Sequence, residues 1–270
     1  DHLPTPGVSV MRGDIATAAD VQRAMTGCGR VLHLAANPNL WHRDERQFNR
    51  INHLGAVNVL EAAAALGVER VIHVSTESIL AQRDRRQTIT ESTRTTLSEM
   101  VGPYCRSKWL AEQAAWRAID AGQPVTIVSP TVPVGPGDHR PTPLTRLIID
   151  YARGRVTGTL DGDIGLIDVR DAAAGIVAAL DRGQTGKRYL LAAENWTTSR
   201  LFAALSELTG IAPPKFPVPY PLALAFAHGE QWYCRWFNNR IPMATVTGVK
   251  LTRRGMKFDA ARSMADLAIT

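Results

Sequence analysis

The sequence predicts an α/β fold: a doubly wound, mostly parallel sheet with helices on both faces and a small C-terminal lobe. Three observations carry this. Nearly continuous apolar runs, Val31-Leu-His-Leu-Ala-Ala36, Arg70-Val-Ile-His-Val-Ser75 and Val125-Thr-Ile-Val-Ser129, read as strands buried on both faces. Helical patterns alternate with them, implying βαβ units with right-handed crossovers. From Pro213 the texture changes, because a cluster of prolines (Pro213, Pro214, Pro217, Pro219, Pro221) precedes an apolar, aromatic-rich helix.

In order, Val8–Met11 reads as a short strand. Asp20–Met25 reads as a helix ended by Gly27-Cys-Gly29, and Val31–Ala36 as a strand. A long helix follows over Glu45–Leu66, with Phe48, Ile51, Leu54, Val57 and Leu60 on one side and Gly67 closing it. Strand Arg70–Ser75 leads into a polar, turn-rich stretch, Arg83–Thr96. Met100–Ala121 is helical, stopped by Gly122, and Val125–Ser129 is a strand. Pro130–Pro143 is a loop, Leu144–Arg153 a helix, Leu166–Val169 a strand, Asp171–Arg182 a helix and Arg188–Leu191 a strand. Thr198–Thr209 is a helix capped by Thr197 or Thr198, and Leu222 to about Trp236 another.

The chain has 270 residues, 45% of them hydrophobic and 21% charged, ordinary for a water-soluble globular domain with an added lobe. No apolar run approaches the ~20 residues of a membrane span. Asp1-His-Leu-Pro-Thr-Pro6 does not resemble a leader. Three scattered cysteines, Cys28, Cys105 and Cys234, without a CxxC pair, point to a reducing, cytoplasmic setting. The seven histidines have no metal-ligand spacing, so no metal is expected, and His33 and His73 read as core residues. The formal charge of +6 is spread along the chain, which disfavours nucleic acid and suits an anionic cofactor.

Ligands of such sheets bind beyond the carboxyl ends of the strands. There stand Asp14 and Ile15, then Ala35 and Ala36, then Ser75 and Thr76, then Ser129-Pro130-Thr131. Between the last two strands, Tyr104 and Lys108 lie four apart on one helix face. An ammonium beside a phenol lowers its pKa, and the phenol can then exchange a proton with a substrate oxygen.

Together these residues resemble an extended short-chain dehydrogenase/reductase of the NAD-dependent epimerase/dehydratase family. The resemblance is carried by Arg12-Gly-Asp14, Val31–Ala36, Ile51-Asn-His-Leu-Gly-Ala-Val-Asn58, Val71–Thr76, Tyr104-x-x-x-Lys108, Ser129-Pro-Thr131 with Gly135-Pro-Gly-Asp138, and Ile167-Asp-Val-Arg-Asp171. Pro141-Thr-Pro143 and Ala227-His-Gly-Glu230 add a likeness to hopanoid-associated and dihydroflavonol-reductase-like members. The resemblance implies a Rossmann-like NAD(P)-binding domain over residues 1–195, with 130–165 turned to the substrate side, and a substrate lobe over 196–270.

It also implies roles. Tyr104 would be the general acid/base. Lys108 would hold the nicotinamide ribose and depress the Tyr104 pKa, and Thr76 would hydrogen-bond the substrate oxygen. Asp14 and Ile15 would face adenine, Ala35 and Ala36 would line the cofactor, and Ser129, Pro130 and Thr131 would lie near the nicotinamide. Asn52 and Asn58 would give support or ribose contact, Asn58 being read as structural.

The implied activity is NAD- or NADP-dependent oxidation or reduction at a secondary alcohol or ketone of a small, hydrophobic or terpenoid-like substrate. An NDP-sugar epimerase or dehydratase, and a non-catalytic NmrA-like regulator, are the alternatives. One part of the pattern is missing. No glycine-rich strand–turn–helix precedes Val8, so the first βαβ unit, which would hold the pyrophosphate, is expected to lie outside this sequence. Glu77, directly after Thr76, reads as a surface carboxylate, with substrate engagement the alternative. Trp232, Tyr233, Trp236 and Phe237 read equally as a substrate wall, a lobe core or the surface of a homodimer.

Overall fold

Four parallel strands form the central sheet, in the order Arg30–His33, Arg70–Val74, Val125–Pro130, Arg188–Leu191. They belong to a computed structural model that describes residues 7–238 and 240–269. Side chains alternate between faces along a strand, and the core divides accordingly. Val71, Val125 and Ile127 pack under helices Ala18–Met25, Gly55–Ala65 and Gly102–Asp120, against Val21, Val59 and Ala115. Ile72 and Val128 face the other way, towards helix Val169–Arg182 and Leu267. Each such fully buried aliphatic side chain contributes about 1.5–3 kcal/mol relative to exposure. The doubly wound arrangement follows from strands that are apolar on both faces.

A second sheet of three strands stands beside it. Val132–Val134 pairs parallel with Asp163–Asp168, which pairs antiparallel with Glu194–Thr197. The strand expected at Leu166–Val169 therefore begins earlier and belongs to this smaller sheet. Beyond it, Pro143–Ala152 and Thr198–Thr209 close over Tyr151, Phe202 and Leu205. Tyr220–Trp236 packs on Val246–Leu251 through Ala223, Ala227 and Val249. The chain then returns to the main sheet, where Ser263 Oγ accepts a hydrogen bond from Leu190 N at 3.0 Å.

Two expectations fail at the sheet's edge. Val8–Met11 is not a strand; Val8, Val10 and Met11 are 52–66% exposed. The sheet ends at Arg30–His33, and no described segment lies alongside Val8–Met11 to supply ladder hydrogen bonds. For the same reason the Val31–Ala36 run is not buried on both faces, and Leu32 and Leu34 are largely exposed. The reading of Asp1–Pro6 concerns residues outside the described ones. No described helix is long and apolar enough to cross a membrane.

Gly102 sets the entry of the helix that carries Tyr104. Its φ is +74°, and a Cβ there would stand 2.2 Å from Thr247 Oγ1. Gly102→Ala therefore combines a left-handed backbone with a clash against the lobe. The expected loss is roughly 2–4 kcal/mol of stability in urea unfolding.

Candidate active site

The Gly102–Asp120 helix starts at a left-handed glycine followed by Pro103, which is preorganised for a first turn. That start aims Tyr104 and Lys108 at the carboxyl end of strand Arg70–Val74. Lys108 is buried and its Nζ donates to the Val74 carbonyl at 2.9 Å. Thr76 caps the short turn Glu77–Ile79. Its hydroxyl donates to Glu77 Oε2 at 2.7 Å and lies 3.2 Å from Ser78 Oγ. The Tyr104 hydroxyl is buried beside the Thr76 and Ser78 hydroxyls, and its ring meets Phe48 edge-on at 6.2 Å. Thr76, Tyr104 and Lys108 thus come together.

Glu77 is not a surface carboxylate. It is half-buried, takes the Thr76 hydroxyl proton in a hydrogen bond, and its carboxyl pKa is raised by burial. The stretch Ser75-Thr-Glu-Ser78 is short and polar and gave no sign that its turn would fold the carboxylate inward. The electrostatics follow from this placement. The Tyr104 phenol is pushed above its ordinary value of 10, first by burial and then by the charge of Glu77, while bonds from Thr76 and Ser78 pull it down. The expected depression by Lys108 is therefore not the dominant effect. Lys108 itself is lowered to about 8 by burial, opposed by the carboxylates of Glu112 and Glu77.

Glu77→Gln provides a check. Without the neighbouring charge the Tyr104 pKa falls, so the alkaline limb of the pH–rate profile moves to lower pH. The sign for stability is also fixed. A carboxyl whose folded pKa is raised binds more protons folded than unfolded, so its cost grows as pH rises above the unfolded value near 4. The variant is expected to exceed the parent in stability at pH 7 and to match it near pH 4 in thermal unfolding.

His33 and His73 are core residues with ring centroids 5.4 Å apart. Burial and then the Lys108 charge lower His33 to about 4; burial, His33 and Lys108 lower His73 well below its ordinary value. Both are neutral at pH 7, which leaves Lys108 as the cation under the site. Behind it lies a group the sequence reading missed. Arg188 pairs with Glu112, their side chains 3% and 1% exposed. Glu112 also accepts from Ser75 Oγ at 2.6 Å and Trp116 Nε1 at 3.2 Å, and Arg188 donates to Thr93 O at 2.6 Å. Glu112 stands four residues after Lys108, on the same helix face, which is the one sequence signal that could have found it.

The residues expected to hold a cofactor are placed as follows. Ala35 is exposed and Ala36 half-buried beyond the first strand. The following Asn37 N donates to Asn52 Oδ1 at 2.7 Å, Asn52 Nδ2 donates to Ser107 Oγ at 3.0 Å, and Ser107 Oγ donates to Tyr104 O at 2.8 Å. Asn52 sits in a π-helical stretch, Asn49–Leu54, inside the expected long helix; such stretches favour functional sites. One side chain therefore ties the alanine strand end to the tyrosine helix. Asn58 Nδ2 donates to Ile15 O at 2.9 Å, a supporting contact. Asp14 is engaged by Arg50 and by Ala16 N.

Ser129 and Thr131 are buried, with Pro130 half-buried between them. Thr131 Oγ1 donates to Leu191 O at 3.2 Å, whereas Ser129 Oγ has no hydrogen-bond partner. An orphaned buried hydroxyl, a buried ammonium and a strand end without bulky side chains fit the nicotinamide half of a dinucleotide. Among the described residues no group fits its pyrophosphate. Among the described residues no cluster of ligands suits a metal ion.

Known proteins place the chain in a family. Residues 1–192 match the NAD dependent epimerase/dehydratase family. A Synechocystis sp. protein named as a candidate dihydroflavonol 4-reductase is 34% identical over 273 residues, covering 100% of this chain and 79% of that protein. Sterol demethylase protein B of Methylococcus capsulatus is 29% identical, covering 100% and 83%. The crystal structure of gox2253 superposes with a TM-score of 0.81 at 30% identity, covering 96% of this chain and 78% of that one. The chain belongs to the NAD-dependent epimerase/dehydratase family, the extended short-chain dehydrogenases/reductases, whose members are NAD(P)-dependent enzymes.

Proposed function

We propose that this protein reduces a ketone, or oxidises the corresponding secondary alcohol, on a small apolar, terpenoid-like substrate. The observation that carries the reading is the meeting of Tyr104, Thr76 and Lys108, with Phe48 joining the Tyr104 ring to a cavity rich in aromatic side chains. The nicotinamide of bound NAD(P) would supply or accept the hydride. Tyr104 gives its phenolic proton to the carbonyl oxygen, and Thr76 holds that oxygen by a second hydrogen bond. Such donors, fixed before the charge develops, stabilise the transition state without reorganisation. Lys108 holds the nicotinamide ribose and keeps a positive charge under the phenolate. Ala35 and Ala36 would line the cofactor, Ser129, Pro130 and Thr131 would lie near the nicotinamide, and Asp14 and Ile15 would face the adenine. Residues 1–195 form the cofactor-binding part, with 130–165 turned to the substrate, and 196–270 the substrate lobe.

The apolar character of the substrate rests on the aromatic part of a cavity of about 440 Å³, Trp41, Phe48, Trp232 and Trp236, whose remaining wall also carries Glu45, Gln231, Arg235 and Lys250. The names of the Synechocystis and Methylococcus relatives, a flavonoid and a sterol enzyme, support it. A neighbouring cavity of about 510 Å³ carries Arg146, Arg155 and Arg240, which favours a diphosphate and so an NDP-sugar epimerase as the second reading. Two of those arginines are already paired, with Asp150 and Glu230. The test is consumption of NADH or NADPH with cyclic and steroidal ketones. Net loss of reduced cofactor supports the reductase. Conversion of an NDP-sugar without net redox change would replace it with the epimerase, and neither activity would leave a binding protein.

A further inference from the structure

Helix Tyr220–Trp236 turns the wrong face to water. Leu222, Phe226, Tyr233 and Trp236 recur at positions that form one stripe, and Trp232 and the following Phe237 flank it. These six side chains are 46–66% exposed. The stripe holds no charged residue, although the outward face of a helix in a globular domain is normally its polar one. Met243, from the loop beyond, is also largely exposed.

The charge around the stripe is one-sided. Between Gly210 and Lys250 the sequence has Lys215, Arg235, Arg240 and Lys250 against a single acid, Glu230. Glu230 is taken by Arg240 and by the Met243 amide, and Arg235 pairs with Glu45 from outside this stretch, so Lys215 and Lys250 are its cations in no ion pair among the described residues. Just beyond, Arg253 stacks on Tyr220 with its guanidinium 4.4 Å from the ring centroid. An isologous contact with a second copy would bring like charge against like across the two-fold axis. An anionic lipid surface instead offers the opposite charge, and tryptophan, tyrosine and phenylalanine are the side chains that settle at its headgroup level.

We propose that this helix lies in the surface of an anionic membrane, with the Leu222–Trp236 stripe among the lipid headgroups and upper acyl chains. The geometry also gives the contact a use. Trp232 and Trp236 line the 440 Å³ cavity together with Phe48 and Pro103. Phe48 touches the Tyr104 ring. An apolar substrate dissolved in the bilayer would pass between the tryptophans to the catalytic tyrosine. The route to Tyr104 rests on the reductase reading; the membrane contact does not.

The experiment is flotation with phosphatidylcholine vesicles, with and without phosphatidylglycerol, for the protein and for the double variant Leu222→Glu, Phe226→Glu. Both positions are exposed and lie outside the cavity wall. The protein is expected to float with the anionic vesicles, and at least about tenfold less with phosphatidylcholine alone or in high salt. The double variant is expected to lose at least about tenfold of the flotation. Its thermal unfolding and its turnover of a water-soluble ketone should stay unchanged, while turnover of a vesicle-dissolved ketone falls. Phe226→Ser alone, expected to lose part of the flotation, serves if the double variant does not fold.

Absence of flotation with anionic vesicles overturns the proposal. So does equal flotation of the variants, or a dimer in sedimentation that the substitutions split. If neither ketone is turned over while flotation follows the expected pattern, the reductase reading fails and the membrane contact stands.

Discussion

Tyr104→Phe is expected to lower kcat for ketone reduction about 10²–10⁴-fold, the usual range for loss of a positioned general acid. KM should hardly change, because the phenyl ring keeps its contact with Phe48 and the cavity wall keeps its shape. The variant loses only the phenolic hydroxyl beside Thr76 and Ser78, so its unfolding free energy should fall by no more than about 1–2 kcal/mol. A fall in kcat without a matching fall in stability separates chemistry from folding. The pH dependence adds a second handle. In reduction the phenol must carry its proton, and burial with Glu77 keeps it protonated well past neutrality. Lys108 loses its charge near pH 8. An alkaline decline that starts near 8 would therefore report Lys108, and one that starts well above it would report Tyr104; Glu77→Gln moves either one down, because the Glu77 carboxylate raises both groups. Turnover unchanged in Tyr104→Phe would remove the tyrosine from the mechanism.

The parts legible in the sequence are those that repeat a local rule. Strands Arg70–Val74 and Arg188–Leu191 were visible because central strands of a parallel sheet are apolar on both faces. The helix from Gly102 to Asp120 was visible from its pattern and its glycine stop. What was not legible depends on partners distant in sequence. Val8–Met11 has strand composition, yet pairing and not composition makes a strand. Glu194–Thr197 has little apolar character and is a strand because Asp163–Asp168 pairs with it. Six-residue helices at Val246–Leu251 and Ala261–Asp266 are too short to show a period.

The site divides in the same way. Tyr104, Lys108 and Thr76 stand in motifs that can be read in one dimension. The inward turn of Glu77, the tie from Asn37 through Asn52 to Ser107, and the Arg188–Glu112 pair exist only once the strands are side by side. These supporting groups are therefore where substitution should reveal most about how the site is held.

Arg188→Met is expected to be the most destabilising of the changes considered, by about 3–5 kcal/mol. The reason is the partner left behind. Glu112 is 1% exposed, and without the guanidinium its carboxylate keeps only the bonds from Ser75 and Trp116. The loss is a large share of the ~5–15 kcal/mol that holds an ordinary domain folded. Glu112→Leu combined with Arg188→Met removes both charges, and the double variant should recover at least about half of the loss. It should not recover all, because Arg188 also satisfies the Thr93 and Glu91 carbonyls, which methionine cannot. The coupling would appear in urea unfolding as a cost of the pair smaller than the sum of the single costs. Activity need not follow stability. Ser75 precedes Thr76, and Lys108 is one turn before Glu112, so a refolded double variant that has lost Ser75's anchor should show reduced kcat at near-normal stability. A single-variant cost below about 1 kcal/mol would mean that water reaches the pair, and that the network behind Thr76 and Lys108 is not a dry one.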